Sequence, residues 1–420
     1  MTSTRPTRIR PYGGVSDVDF ATWRARANTV AAELAATAAA RDRANQNPHN
    51  EITLLRESGL LGFASPVEFG GAGGSLTQAL TLGRIISAAD GSIGQLVHYH
   101  YSNGVWSYIL GTEAQWELIA RGVGEQGWFQ GSVSNPRDAG FKAEPNGDGG
   151  YILTGTRTFA TGVAIADYLT VGFFDDGVHL NAQIPPSRPG LSFRDDWDNL
   201  GQRLTASGSV TFDSVVVHPD EVLRGVAEYA GDPVLREGLR GQFSQLIFAH
   251  LYLGIASGAL DAAAHYIRDH GRPWPEATSK VVGEDPYHLQ LLGRLSSQIA
   301  AGIALADQAA ITFEQALHSA DLTHEEWGQL ALQIDQAKSV STEAVLDTTH
   351  NIFQATGARS TANSVGLDIF WRNARTHTTH DPLPYRQREV GNYVINGILP
   401  SPRSFTDIAK AADSTQGKAS

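Results

Sequence analysis

The chain has 420 residues, a mass of 45.0 kDa, a formal net charge of -12 and a pI near 5.6. The chain is too long to fold around one ordinary hydrophobic core. Hydrophobic residues make up 41% of it and charged residues 18%, a composition typical of globular proteins, which excludes general disorder. The acidic balance argues against nucleic acid as a partner, because phosphate binding requires clustered Lys and Arg.

Cysteine is absent from the sequence. This excludes disulfides, thiol nucleophiles, iron–sulfur ligation and most structural zinc sites, so any redox chemistry needs a borrowed cofactor. The first 14 residues carry charge without the apolar stretch of a signal peptide, and no later run reaches the roughly 18 apolar residues of a membrane span. We therefore expect a cytoplasmic protein that contacts no membrane.

Residues 1–125 are predicted to form an all-α domain. Apolar side chains recur every three or four positions between residues 17 and 46, as on an amphipathic helix that ends at Asn47 and Pro48. A glycine-rich loop follows at residues 66–74, and helical patterns continue to about residue 125. The loop lacks the G-x-G-x-x-G pattern after a strand, so the sequence has no nicotinamide-binding fingerprint.

Residues 126–235 are predicted to form a β domain, and residues 236–420 a bundle of long helices. Short β-rich runs bounded by turn residues indicate a small antiparallel, barrel-like sheet unit. Asp285 with Pro286, and a capping box from Thr323 to Glu326, predict the starts of two long helices. Gly254 and Gly258, four residues apart, predict close approach of a neighbouring backbone. The resulting class is α+β.

Three segments carry a resemblance to a known family. The first resembles the N-terminal signature of the acyl-CoA dehydrogenases, the second their β-domain signature and the third their C-terminal signature. These segments are residues 55–60 with 66–71, residues 150–157 with Phe159 and Asp167, and residues 372–375. The resemblance covers about residues 20–400. It implies the acyl-CoA dehydrogenase fold, with an N-terminal helical domain, a central β-barrel-like domain and a C-terminal helical bundle, assembled as a homotetramer or a dimer.

Longer strings are similar to the group D flavin-dependent monooxygenases of this superfamily, which resemble dibenzothiophene monooxygenase. The strings lie at residues 89–100, 195–209, 245–255, 272–274, 284–287 and 370–382. The resemblance implies a reduced flavin (FMN or FAD) and O2, a C4a-hydroperoxide that oxygenates an aromatic heterocycle of the indole or dibenzothiophene type, and a homo-oligomer. Because the sequence has no nicotinamide fingerprint, a separate NAD(P)H-dependent flavin reductase is expected as a partner.

The same resemblance implies the catalytic residues. It places His380 beside the C4a edge of the flavin, with His377 and Asp381 nearby, Tyr99 in the pocket, and Ser132 against substrate or peroxide. An imidazole that titrates near neutrality could donate a proton there. The alternatives are a His-x-x-His pair satisfied by the backbone, a turn at Asp381 and a core aromatic at Tyr99. No third ligand accompanies the two histidines, so no metal site is predicted.

The implied flavin contacts lie mainly in the β domain. Ser132 stands where the related enzyme carries a longer amide side chain, and Thr161 replaces a serine. The identity of the substrate therefore stays undecided. Two arginines match positions that contact the flavin phosphate, Arg272 from a neighbouring subunit, although surface salt bridges would explain them equally. The implied cofactor-binding residues are Trp128, Ser132, Ser134, Phe159 and Thr161, which are expected on strands, together with Trp197, Arg272, Arg359 and His380. The alternative for Trp197 is a side chain that plugs a local core.

Two other functions stay open at this stage. An acyl-CoA dehydrogenase could use Asp381 as its base, and a non-catalytic scaffold could keep the fold without the chemistry. The related dehydrogenases carry Tyr-Glu-Gly-Thr where this chain has residues 380–383. Asp is one methylene shorter than Glu, and a general base must come within about 3 Å of its proton. Dehydrogenation is therefore weakened.

Overall fold

Two helical regions flank a pair of small sheets in the computed structural model of the protein, which describes residues 12–13, 17–135, 138, 140–228 and 231–402. This is the α+β order predicted from the sequence. The first 14 residues, for which the sequence predicts no signal peptide, lie almost wholly outside the described part. The helices are α1 (Phe20–Ala44), α2 (His49–Glu57), α3 (Leu76–Ala89), α4 (Gly91–Leu110), α5 (Glu113–Gln126), α6 (Pro233–His270), α7 (Pro286–His318), α8 (His324–Thr356), α9 (Asp368–His377) and α10 (Leu383–Asn396).

The strands of the described residues form two open sheets, with the orders β1-β4-β5 and β2-β3-β7-β6. Apolar residues of both sheets share one core, among them Val171 and Phe212. The pair is therefore barrel-like in packing without being a closed barrel. The strands are β1 (Gln130–Val133), β2 (Lys142–Pro145), β3 (Tyr151–Arg157), β4 (Tyr168–Asp175), β5 (Val178–Ile184), β6 (Leu191–Phe193) and β7 (Val210–Val217).

The prediction of an antiparallel unit is wrong for β1, which runs parallel to β4. Parallel strands need a long connection, and here the chain passes through β2 and β3 between them. The other pairings are antiparallel. The hairpin from β4 to β5 turns at Asp176 and Gly177, both with positive φ (46° and 73°), the geometry that a two-residue Asp-Gly hairpin favours.

The helices before and after the sheets share one hydrophobic core, whereas the sheets have their own. The division at residues 125 and 235 stays a prediction, although the helical regions end at Gln126 and resume at Pro233. α6 contains an 18-residue segment that is apolar enough to cross a membrane by length and composition, yet 78% of this segment is buried inside the molecule. Its apolar character is that of a core helix.

Gly254 and Gly258 lie where α6 crosses α3. A Cβ atom on Gly258 would stand 1.9 Å from the Ala88 carbonyl oxygen, and one on Gly254 would stand 2.5 Å from Ser87 Cβ. The predicted close approach is thus confirmed. It sets the depth of α6 in the core, and so the position of every side chain on it.

The predicted helix starts are also confirmed. Pro286 opens α7 behind an Asp285 cap that accepts from two backbone N–H groups, and Thr323 with Glu326 closes a capping box at α8. Each cap satisfies donors that the first helical turn leaves unpaired.

Arg372 of α9 ties the C-terminal helices to α1. Its guanidinium makes two hydrogen bonds with the carboxylate of Asp42 (2.6 and 3.2 Å) and one with Asp368 (2.7 Å). Asp42 is only 3% exposed. A bidentate pair of this kind fixes both position and orientation of α9.

We expect the substitution Arg372→Met to lower the free energy of unfolding by about 3 kcal/mol, because it leaves the Asp42 carboxylate buried without its partner. Urea unfolding followed by circular dichroism measures the change. Arg121→Met, which breaks solvent-exposed pairs with Glu117 and Glu125, is the control and should cost far less. Equal losses in the two variants would contradict this account.

Candidate functional site

Three helices meet at the side chain of His377, the last residue of α9. Its Nε2 lies 3.2 Å from the Tyr99 hydroxyl of α4, and its Nδ1 lies 2.9 Å from the Tyr252 hydroxyl of α6. The Tyr252 hydroxyl also donates to the His377 carbonyl (3.2 Å). Two residues assigned from the resemblance, Tyr99 and His377, are therefore in direct contact.

These contacts indicate the protonation state of His377. A Tyr252 hydroxyl that donates to the carbonyl must accept from Nδ1–H, so Nε2 is left to accept from Tyr99, as a neutral imidazole does. Burial lowers the pKa of His377 well below its ordinary value, and the neighbouring His380 and the charge of Lys338 oppose its protonation further. Burial also raises the pKa values of both tyrosines. The network is uncharged at neutral pH.

His380 follows one turn after His377 and stacks on it, with ring centroids 5.7 Å apart and planes 8° from parallel. The Phe248 ring of α6 contacts both imidazoles edge-on, at 4.8 and 5.1 Å. The stacked rings do not converge on a point as metal ligands would, and no group of three potential ligands occurs in the described part of the chain.

His380 is the open member of this cluster, because its side chain is exposed while that of His377 is buried. The protein that surrounds its other sides lowers the pKa of His380, and Lys338 adds to the effect. A lowered pKa favours the neutral imidazole, which can offer an N–H as a hydrogen-bond donor, and the proton-donor role that the resemblance implies stays a prediction.

Asp381 lies beside His380 but is engaged elsewhere. Its carboxylate forms an ion pair with Arg386 of α10 (3.5 Å), which also reaches Asp335 of α8 (3.6 Å). Lys338, one turn beyond Asp335, is 1% exposed. Its ammonium stands over the rings of Phe248 (4.6 Å) and Tyr252 (5.0 Å). Two basic and two acidic side chains thus cluster here, and burial raises the pKa of the Asp335 carboxyl to about 7.

A second group of assigned residues comes together in the β domain. The Ser132 backbone N–H donates to the Thr161 carbonyl (3.0 Å). The Thr161 hydroxyl accepts from Ser207 (3.1 Å), whose oxygen lies 2.8 Å from the Thr205 hydroxyl. Thr205 donates in turn to the Gln202 carbonyl (2.8 Å). A chain of hydroxyl groups therefore fixes the Thr161 side chain.

Phe159 and Trp197 form the outer edge of this group. The Phe159 ring is 62% exposed, and Trp197 packs edge-on against it at 5.8 Å while donating to the Gln202 carbonyl (2.7 Å). Phe159, Gln202 and Ala206 all have left-handed φ angles, between 44° and 55°. Strained non-glycine backbone of this kind is concentrated at functional sites. Trp197 thus lies at the site's edge rather than plugging a core.

The assignment of these residues to strands needs correction. Only Ser132 lies on a strand, β1; Phe159 and Thr161 lie in the loop after β3, because the chain must bend there to meet the segment around Gln202. Ser134 follows β1, and its hydroxyl is buried without a hydrogen-bond partner in the described chain.

Trp128 stands apart from the other assigned residues. It precedes β1, stacks on Tyr168 (5.0 Å, planes 5° apart) and fills the space that a side chain on Gly122 would need. No contact links it to Ser132 or Thr161 in the described residues. Its position is that of a packing residue between α5 and the sheet.

Two connections hold the helical and β groups in a fixed relation. Asn373, one turn before His377, accepts from the Gln202 backbone N–H (2.7 Å). On the other side, His100 accepts at Nδ1 from the N–H of Gln130 (3.2 Å), which places β1 against α4 next to Tyr99. The hydroxyl chain and the imidazole pair are therefore anchored through neighbouring residues.

Arg272 and Arg359 lie outside both groups. Arg272 is exposed in the loop after α6, and Arg359 is exposed in a 3-10 turn after α8. Neither side chain makes a hydrogen bond or ion pair within the described chain. Both guanidinium groups therefore stay available to an anion, and their phosphate role remains a prediction.

Sequence reasoning assigned no role to Phe248, Tyr252, Lys338, Thr205 or Ser207. Phe248 and Tyr252 are four residues apart on an apolar helix, the ordinary pattern of core packing. The residues around Lys338 in the sequence form no pattern that would predict a buried lysine. Only the Ser207-Gly-Ser209 string, quoted for the resemblance, gave any signal of the hydroxyl chain.

The residues of the β group fit a flavin. Its ring has a polar edge that needs hydrogen-bond partners and two apolar faces. The buried, unpartnered Ser134 hydroxyl, the Thr161 hydroxyl and the exposed Phe159 ring offer these features.

Comparisons with known proteins identify the family of the chain. The acyl-CoA dehydrogenase N-terminal domain matches residues 21–126, and the acyl-CoA dehydrogenase C-terminal domain matches residues 246–383. Dibenzothiophene monooxygenase of Rhodococcus erythropolis is 38% identical over 390 residues, covering 90% of this chain and 94% of the relative. A probable FMNH2-dependent monooxygenase of Pseudomonas putida is 34% identical over 384 residues, covering 90% of this chain and 96% of the relative.

Among solved structures, the dibenzothiophene monooxygenase TdsC of Paenibacillus sp. A11-2, in complex with FMN and indole, superimposes with a TM-score of 0.85. It is 38% identical, and the match covers 90% of this chain and 98% of that one. The chain therefore belongs to the acyl-CoA dehydrogenase superfamily, among the flavin-dependent monooxygenases that resemble dibenzothiophene monooxygenase.

Proposed function

We propose that the protein is the oxygenase of a two-component system, which uses FMN reduced elsewhere, and O2, to oxygenate an aromatic heterocycle of the indole or dibenzothiophene type. When bound, the reduced flavin supplies oxygen activation, through the C4a-hydroperoxide that the resemblance implies. The residues of this chain bind the flavin, orient the substrate and exclude water. The observation that carries the proposal is the position of the His380 imidazole at the open end of the buried network of Tyr99, His377 and Tyr252.

The lining of the site supports an aromatic substrate. Tyr99 stacks on Phe248 with ring centroids 6.0 Å apart, and His380 completes an aromatic surface on the open side. A planar heterocycle can stack on such rings, which gain from offset and edge-on contacts. Indole bound to the related TdsC supports the same class.

Dehydrogenation is less well supported by the geometry. A base that abstracts a proton must approach it freely, but the Asp381 carboxylate is ion-paired with Arg386 and faces the field of Lys338. The pairing favours a fixed carboxylate with a structural role.

The remaining partners are part of the proposal. The missing nicotinamide fingerprint and the FMNH2-dependent relative support a separate flavin reductase. We also propose a cytoplasmic homo-oligomer, a tetramer or a dimer. Within the described residues, α10 has no buried side chain and exposes Val394 and Ile395, and Ile398 just after the helix is exposed as well, which supports association through this face.

The proposed activity predicts transfer of one oxygen atom from O2. We expect the protein, given FMN, a flavin reductase with NADH, and indole or dibenzothiophene under 18O2, to form a product that carries one 18O atom, detected by mass spectrometry. Omission of the reductase should abolish the product. Anaerobic reduction of protein-bound flavin by an acyl-CoA, without oxygenated product in air, would show a dehydrogenase instead.

His380→Ala is expected to uncouple oxygen use from product formation. Loss of one donor positioned at the reacting oxygen should lower product per O2 consumed by about 100-fold and release hydrogen peroxide, with FMN affinity unchanged. An oxygen electrode with peroxide and product assays gives the ratio. His350→Ala, which changes an exposed histidine of α8, is the control. Wild-type coupling in His380→Ala would remove His380 from the mechanism.

The buried hydroxyl of Ser134 should contribute directly to flavin binding. Ser134→Ala is expected to weaken FMN affinity by about 3- to 10-fold, the loss of one hydrogen bond. Quenching of flavin fluorescence measures the dissociation constant. The control is Ser297→Ala, in the exposed part of α7. An unchanged affinity in Ser134→Ala would place the flavin away from this hydroxyl.

A further inference from the structure

Lys338 is a buried cation to which neither the sequence patterns nor the family resemblance assigns a role. It lies in the middle of α8 with 1% of its surface exposed, and its ammonium has no hydrogen-bond partner within the described chain. A buried ammonium without such a partner is costly unless other interactions replace water. Here it stands over the rings of Phe248 and Tyr252, at 4.6 and 5.0 Å.

The same two rings contact the imidazoles of the site. Phe248 lies 5.1 Å from the His380 ring and 4.8 Å from the His377 ring, and the Tyr252 hydroxyl binds His377. The ammonium and the imidazoles thus contact the same pair of aromatic rings. These rings attract the cation through their faces and exclude water, so the field of the charge is poorly screened.

The titratable groups around Lys338 and the two imidazoles come from five packed elements. Asp335 lies one turn away on α8 and Asp381 lies beside His380, and Arg386 bridges the two carboxyl groups. The groups that face this region are Tyr99 and His98 from α4, Tyr252 from α6, Asp335 from α8, His377, His380 and Asp381 from the end of α9 and the turn after it, and Arg386 and Glu389 from α10.

The direction of the electrostatic effect follows from these positions. Burial lowers the pKa of Lys338 to about 8, with Asp381 opposing the change, so the side chain carries its charge at neutral pH. That charge lowers the pKa values of His377 and His380, in addition to the larger effect of burial. Removal of the charge would therefore make both imidazoles easier to protonate.

We propose that Lys338 is a positioning residue of the oxygenation site, whose buried ammonium holds Phe248 and Tyr252 in place and keeps the imidazoles of His377 and His380 uncharged. A neutral His380 keeps one N–H donor and one acceptor, whereas an imidazolium would lose the acceptor and repel the ammonium. The catalytic consequence rests on the proposed oxygenase function. The electrostatic effect does not, because it exists without flavin or substrate.

The experiment compares the wild-type protein with Lys338→Met, which keeps the length of the side chain without its charge, and with Lys338→Arg, which keeps the charge. Exchange of the imidazole Cε1 proton with deuterium, followed by mass spectrometry, gives the titration midpoint of each histidine. The range is about pH 3 to pH 8, because burial lowers the pKa of His380 to about 4. We expect the His377 and His380 midpoints to rise by about one pH unit or more in Lys338→Met. Lys338→Arg should stay close to wild type.

The ratio of product formed to O2 consumed is also measured as a function of pH. The acid limb of this profile should move to higher pH by the same interval in Lys338→Met. Exposed His350, farther along α8, is the internal control and should exchange alike in all variants. Should Lys338→Met fail to fold, Lys338→Met with Asp335→Asn removes the unpaired carboxylate as well and carries the same expected shift.

Midpoints in Lys338→Met that coincide with the wild-type values would overturn the proposal. Shifts of equal size in Lys338→Arg and Lys338→Met would also overturn it, because packing rather than charge would then be responsible. Failure of the wild-type protein to oxygenate either heterocycle would instead refute the proposed function, while the histidine titration stayed as expected.

Discussion

The hydrogen bonds of His377 with Tyr99 and Tyr252 are the interaction on which the site depends, because they join α4, α6 and α9 at one side chain. α4 and α6 belong to regions separated by the whole β domain. Their relative depth is set by the close approach of α6 to α3 at Gly254 and Gly258, which no larger residue would allow. Backbone packing next to the site thus helps to fix distances inside it.

Two sets of titratable groups contact the same aromatic rings. The ammonium of Lys338 stands over Phe248 and Tyr252, in a cluster with Asp335, Asp381 and Arg386. The imidazoles of His377 and His380 also contact these rings, and burial lowers their pKa values. Rings that exclude water let the charge of Lys338 act on the histidines with little screening. A site that must protect a reactive oxygen species from water gains from such a dry, hydrogen-bonded surface.

Much of the fold followed from local sequence signals, and less of the site did. Pro286 behind Asp285 and the capping box at Thr323 are local rules, so the helix starts were predictable. The parallel pairing of β1 with β4 was not, since it depends on a connection of more than 30 residues. His377 and Tyr99 came from family resemblance, but their contact spans the chain. Lys338 could not be found, because a lone lysine on a helix ordinarily faces water.

The difference between this chain and a dehydrogenase of the same fold lies in what the end of α9 presents. A proton-abstracting base needs a mobile, unpaired carboxylate, whereas Asp381 is held by Arg386 within a cluster of acidic and basic side chains. The group left at the open edge is the ring of His380, which can offer an N–H as a hydrogen-bond donor. One scaffold can therefore serve either chemistry, because the choice depends on which side chain of the turn after α9 is left free.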